Sequence, residues 1–210
     1  MPASQVQYDF GYGERHEYAV IAAQDIEQFA QPIAGLYSWH YRLSQTTPNR
    51  SADMTTYDSI YAAKSYDIFA QAHLGERLTG KITRAPFTNS RAPEFSRATL
   101  AASTIFCPPL YIGISTNIKG RLSTHYNALV NFLARPINLI SYVSGEPEDD
   151  TEAESSIFAE RIGSLLKQNN VSNPGRLFVK VVYVQGATKR ELEQAEFFVN
   201  RTFIPLYGRR

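Results

Sequence analysis

The sequence predicts an α+β domain, a small sheet of about three strands with helices packed on it. Three observations carry that reading. Residues 177–184 (Leu177-Phe178-Val179-Lys180-Val181-Val182-Tyr183-Val184) form a run of β-branched and aromatic side chains of strand type. Residues 109–115, ending Tyr111-Ile112-Gly113-Ile114-Ser115, read as a short buried strand that turns into a helix over 117–133. Thr188 with Glu191 three positions on is a capping box opening a helix that runs to about Phe203 and stops before Pro205.

The remaining elements follow in chain order. Residues 16–31 place Val20, Ile21, Ile26 and Phe29 at helical spacing, with Asp25 and Gln28 outside, and predict a helix. After Pro32, the aromatic run Ala34-Gly35-Leu36-Tyr37-Ser38-Trp39-His40-Tyr41 predicts a strand starting near Ile33. Residues 43–56 are polar and turn-forming. Residues 57–78 predict a second helix, with Ile60, Tyr61, Ile68, Phe69 and Ala72 on one side. Residues 84–97 read as a loop, 98–106 fit a short helix or a strand, and 137–143 fit a strand or an irregular apolar stretch. Residues 151–168 predict a helix with Ile157, Ile162, Leu165 and Leu166 as its buried stripe, ended by Asn169-Asn170 and Asn173-Pro174-Gly175.

A chain of 210 residues with 43% hydrophobic and 20% charged residues can bury the core of one domain, and no internal repeat divides it. Its apolar runs fall well short of the roughly 20 residues that cross a bilayer, and the N-terminal residues lack an apolar signal core. Cys107 is the single cysteine, which excludes an intrachain disulfide and a cysteine-based metal cluster. A soluble, cytoplasmic protein is the expectation. The net charge of +1 hides an uneven distribution. Arg77, Lys81, Arg84, Arg91 and Arg97 face only Glu94 within 77–97, whereas 146–154 holds acids and no bases. Either run can be a solvated loop, and the first also suits a phosphate backbone.

The residues that can carry chemistry gather around 111–126. Arg121 and His125 are four apart and share one helix face. Hydrolysing a phosphodiester requires a positioned water, positive charge on the developing phosphorane and help for the leaving oxygen. Arg121 offers a fork of donors matched to phosphate oxygens. His125 carries a group that ordinarily titrates near neutrality and can take a proton or polarise a tyrosine. Tyr37 and Tyr111 supply phenols, which are weak bases unless perturbed and can equally fill a sheet face. Glu196 sits among Phe197, Phe198 and Val199, where a carboxylate needs a partner such as a hard cation; Glu193 is the alternative, and Glu191 belongs to the capping box. Asn117 and Lys119 open the helix, where backbone donors also favour anions. Cys107, preceding Pro108-Pro109, reads as buried and inert, and no Gly-rich phosphate loop occurs.

The tripeptides Gly35-Leu36-Tyr37 and Tyr111-Ile112-Gly113, the pattern Tyr-Ile-Gly-x-Ser-x-Asn-Ile-x-x-Arg-x-x-x-His over 111–125, and Glu196 nine positions before Pro205 resemble the GIY-YIG nuclease family. The resemblance covers roughly 33–41, 109–133 and 177–208. It implies a mostly antiparallel three-stranded sheet flanked by helices, with the two tripeptides on neighbouring strands. The family arginine and histidine fall on Arg121 and His125, and its metal-holding glutamate on Glu196. It further implies a Mg²⁺- or Mn²⁺-dependent endonuclease acting on double-stranded DNA, with Tyr37 more than Tyr111 positioning or activating the water. Two departures stand out. Between Tyr37 and Tyr111 lie 73 residues where the family has a short hairpin, and Gly208 replaces the asparagine of its Pro-x-x-Asn ending. The catalytic core is therefore expected at 33–41 and 108–210, in one nuclease domain spanning the chain. The insertion at 43–107 would contact DNA through Arg77, Lys81, Arg84, Arg91 and Arg97, with Lys119 and Asn117 helping at the core. A short nuclease without a separate DNA-binding module looks like a type II restriction enzyme, and cutting both strands suits a homodimer. A DNA repair or mobile-element nuclease, a nucleic-acid-binding protein with a degenerate nuclease fold, and an unrelated α+β interaction domain are the alternatives.

Overall fold

The computed structural model describes residues 4–9, 15–42, 60, 66–71, 77–82, 105, 107–135, 150–203 and 205. Two compact units divide the chain, one formed by Met1–Arg42 with Phe106–Arg210 and the other by Leu43–Ile105. The first contains strands β1 (Ser4–Asp9), β2 (Arg15–Ala22), β3 (Gly35–Tyr41), β6 (Tyr111–Ser115) and β7 (Leu177–Tyr183). It also contains the single-turn helix α1 (Ile26–Phe29) and helices α2 (Ile118–Ala134), α3 (Asp150–Gln168) and α4 (Lys189–Phe203). The second unit contains an antiparallel pair, β4 (Tyr66–Gln71) with β5 (Arg77–Ile82).

The sheet of the first unit has five strands in the order β1-β2-β7-β3-β6, every neighbouring pair antiparallel. The three strands expected from sequence are its β7-β3-β6 portion, so the expected number was too small. The addition is β1 and β2, which extend the sheet beyond β7. Residues 15–22 are strand instead of the expected helix, and the helical pattern across 16–31 is an accident of two adjoining elements. Ala19 and Ile21 are buried on one face while Tyr18 and Val20 are half-buried on the other. A strand with apolar residues on both faces loses its alternation in sequence, and Ile26 of α1 then completes a false helical stripe. Residues 66–71 and 77–78 are likewise strand, not helix. Ile68-Phe69-Ala70 is an unbroken apolar run, and Gly75 falls in the sequence between β4 and β5. Residues 137–143 lie outside the described residues, as do 98–106 apart from Ile105.

The core lies between one face of the sheet and helices α2 and α3. Alternation along β3 sends Tyr37, Trp39 and Tyr41 to that face, all buried. Register places Tyr37 opposite Gly113 and Val181, and Trp39 opposite Tyr111 and Val179. From α2 come Leu122, His125 and Leu129, and from α3 Phe158, Ile162, Leu165 and Leu166, all buried. The two helices approach closely at Gly163, where a Cβ would overlap the Phe132 ring. Helix α4 packs along β6 and β3. The other side of β3 is covered too. His40 stacks on Phe178 with ring centroids 5.1 Å apart, its Nε2 shares a hydrogen bond of 2.8 Å with Ser38 Oγ, and its Nδ1 lies 3.3 Å from Cys107 Sγ. Cys107 is buried, as its sequence setting suggested.

Candidate active site

Helix α2 starts because Asn117 caps it: Gly120 N–H donates to Asn117 Oδ1 at 3.0 Å. The other first-turn amides are also occupied. Ile118 N–H donates to the Ile33 carbonyl, Lys119 N–H to the Gln31 carbonyl and Arg121 N–H to the Asn117 carbonyl. This end of α2 is thus docked onto the 31–33 segment, and the backbone anion site expected there from sequence does not form. Lys119 is partly exposed, with Nζ 3.9 Å from Glu27. Such a contact is weak and leaves the ammonium able to exchange partners.

One and two turns into the helix come Arg121 and His125. His125 is completely buried, and it gathers the aromatic residues of the motif strands around it. Its ring lies 5.7 Å from Tyr37 and 5.8 Å from Tyr111, both edge-on, and Tyr37 and Tyr111 stack at 6.3 Å. Gly113 makes this possible. A Cβ there would sit 2.6 Å from Tyr37 Oη and 3.0 Å from Tyr111 Cε1, so the Tyr37 phenol crosses β6 where no side chain stands. The structure therefore joins Tyr37, Tyr111 and His125, with Arg121 half-buried one turn earlier on the helix face of His125.

The protonation expected of His125 needs correction. Burial first, and the Arg121 guanidinium second, push its pKa down to about 3, so the imidazole is neutral at physiological pH. Neither ring nitrogen, nor Trp39 Nε1 beside it, has a hydrogen-bond partner among the described residues. A neutral, dry imidazole offers one acceptor and one donor without changing charge. Proton uptake near neutrality, expected of a free histidine, is unavailable to it here.

Phe158 is the member of the cluster that sequence reading missed. It stacks on His125 at 4.3 Å and 10° and touches Trp39 at 5.1 Å and Tyr111 at 5.3 Å. Ile162, Leu165 and Leu166 of the expected stripe are buried, and only its first member falls one residue away, on Phe158 instead of Ile157. Ile157, taken as core, is 46% exposed, while Ser155, Phe158, Ala159, Ile162, Leu165 and Leu166 form the buried stripe. Phe158→Ala is expected to lower stability by about 3–5 kcal/mol, seen as a reduced urea midpoint. A loss below about 1 kcal/mol would show that Phe158 does not support the cluster.

On α4 the capping box forms as expected. Thr188 N–H donates to Glu191 Oε2 at 2.8 Å and Glu191 N–H to Thr188 Oγ1 at 3.3 Å. Glu193 is exposed, with Lys189 at 4.0 Å, while Glu196 is half-buried on the helix that packs along β6 and β3. No group of three or more histidine, cysteine, aspartate or glutamate residues able to hold a metal occurs among the described residues. Of the basic residues expected on DNA, Arg77 and Lys81 lie on β5 of the second unit, and Arg84, Arg91 and Arg97 lie outside the described residues. Gly208 lies outside them as well. Among the described residues no helix is long and apolar enough to cross a membrane. Comparison with family models, with curated proteins and with solved structures gives no match.

Proposed function

We propose that this chain is a divalent-metal-dependent endonuclease of the GIY-YIG type that hydrolyses DNA phosphodiester bonds. The observation that carries the reading is the meeting of Tyr37, Tyr111 and His125 across the β3–β6 pair, with Gly113 opposite Tyr37 clearing the path of its phenol. That the motif positions 37, 111, 113 and 125 meet on one face of the sheet supports the reading. A sequence-specific cut through both strands, in the manner of a type II restriction enzyme acting as a homodimer, is the subclass we favour.

The roles follow from the chemistry. Arg121 presents its guanidinium fork to a non-bridging phosphate oxygen, neutralising charge that grows toward the transition state. Tyr37 orients the attacking water through its hydroxyl. His125, held neutral, packs edge-on against both motif tyrosines and so fixes the placement of their rings, and it does not compete with Arg121 as a second cation. Glu196 would hold Mg²⁺ or Mn²⁺, an ion that would supply positive charge for the phosphate and the leaving oxygen. Lys119, and the basic residues Arg77 and Lys81 on β5, supply sequence-independent contacts to the phosphate backbone.

Purified protein incubated with supercoiled plasmid and linear phage DNA, in Mg²⁺ or in EDTA, tests this directly. Discrete fragments are expected in Mg²⁺ only and are expected to vanish in Glu196→Ala. A smear would keep the nuclease and remove the restriction subclass. Binding without cleavage at every metal concentration would overturn the reading in favour of a DNA-binding protein.

A further inference from the structure

Asn200 carries an atom that the fold does not account for. Its Oδ1 is sealed from solvent and has no hydrogen-bond partner among the described residues. Its polar neighbours on α4 are accounted for differently. Thr202 Oγ1 donates back to the Phe198 carbonyl at 3.0 Å, and the Arg201 guanidinium lies 4.4 Å over the exposed Phe197 ring. Asn200 instead belongs to the inner side of the helix, near the buried Leu192 and the half-buried Ala195 and Val199. An asparagine there is unfavourable twice over: it is a poor helix former, and its carbonyl gives up water without a protein donor in exchange.

Glu196 precedes Asn200 by four positions, so the two half-buried side chains lie one turn apart on one face of α4. Cβ atoms at that spacing are about 6 Å apart, and a carboxylate and an amide carbonyl projecting from them can reach a single ion. Both are hard oxygen donors of the kind that magnesium, manganese and calcium select. A lone carboxylate with no second protein ligand binds such an ion weakly. A neutral carbonyl beside it raises affinity without adding negative charge that would repel a phosphate.

We propose that Asn200 Oδ1 is the second protein ligand of the cation that Glu196 holds, the pair forming a two-oxygen clamp on α4. The inference rests on the reading of Glu196 as the cation ligand, and its test separates the two. Mn²⁺ binding to the DNA-free protein, followed by the electron paramagnetic resonance signal of the free ion, is measured for the wild type, Glu196→Gln, Asn200→Leu and Asn200→Asp. Asn200→Leu is expected to weaken Mn²⁺ binding about tenfold. Asn200→Asp is expected to tighten it several-fold, because an isosteric carboxylate replaces the carbonyl. Without metal, Asn200→Leu is expected to melt no lower than the wild type, since it removes an unsatisfied group. Loss of binding in Glu196→Gln with unchanged affinity in both Asn200 variants would overturn this inference alone. Unchanged binding in Glu196→Gln would overturn the reading of Glu196 and this inference with it.

Discussion

Arg121→Ala is expected to slow DNA cleavage by roughly 10²–10³-fold in single-turnover assays while shifting the melting temperature little. The guanidinium sits on α2 at the margin of the aromatic cluster, half-buried, and close enough to His125 for its charge to help depress the imidazole pKa. A cation so placed, with the motif tyrosines on the adjoining strands, is suited to a phosphate whose charge rises during attack. Arg121→Lys is expected to recover only part of the rate, because an ammonium supplies charge but not two parallel donors in one plane. Binding affinity should fall less than rate, since phosphate contacts elsewhere persist in the ground state. A cleavage rate within threefold of wild type in Arg121→Ala would remove Arg121 from the site.

Acid is expected to unfold this protein early. Two buried histidines have pKa values of about 3 in the folded chain: His125 through burial and then Arg121, and His40 through burial and then Lys180. In the unfolded chain both return to about 6.5. Below that value the unfolded state binds more protons than the folded one, so stability is fully present above pH about 6.5 and is lost as pH falls toward 3. Two groups titrating together give a slope of up to about 2.7 kcal/mol per pH unit, large against the 5–15 kcal/mol that typically holds a domain together. Urea midpoints should therefore be level from pH 8 to 7 and fall steadily from 6.5 to 5. His40→Gln and His125→Gln are each expected to remove about one proton from that slope. A midpoint unchanged between pH 7 and 5 would show that these rings are not buried in neutral form.

What could be read from sequence, and what could not, divides along physical lines. Helices α2, α3 and α4 were visible because each repeats an apolar face over fifteen or more residues, and α4 adds a cap whose partners are three positions apart. Strands β3, β6 and β7 were visible through β-branched and aromatic density. Strand β2 was not, because both of its faces carry apolar residues and the turn of α1 follows at once. The β4–β5 pair was not, because Ile68, Phe69 and Ala72 fall at helical spacing and Gly75 between the strands is the single turn signal. At the site, the residues share a motif, so Tyr37, Tyr111, Arg121 and His125 could be nominated together. The neutral state of His125 and the stacking of Phe158 could not, since both depend on what folds over the ring. The role suggested for the first-turn amides of α2 failed for a related reason. Their acceptors, the Gln31 and Ile33 carbonyls, come from a segment more than eighty positions away.

The middle strand of the sheet, β7, is also its last in chain order, and β2 and β3 stand on either side of it. During synthesis the N-terminal strands leave the ribosome long before their shared neighbour exists. Pairing of β3 with β6 must meanwhile close across the whole of the 43–105 unit, a slow search of high contact order. A nascent or truncated chain lacking residues 177–183 therefore has two strand edges and no centre to join them. Under the proposed function such a chain is harmless as well as incomplete. The capacity to cut DNA would then arise only after β7 and α4, which follow every other described element in chain order, have been made.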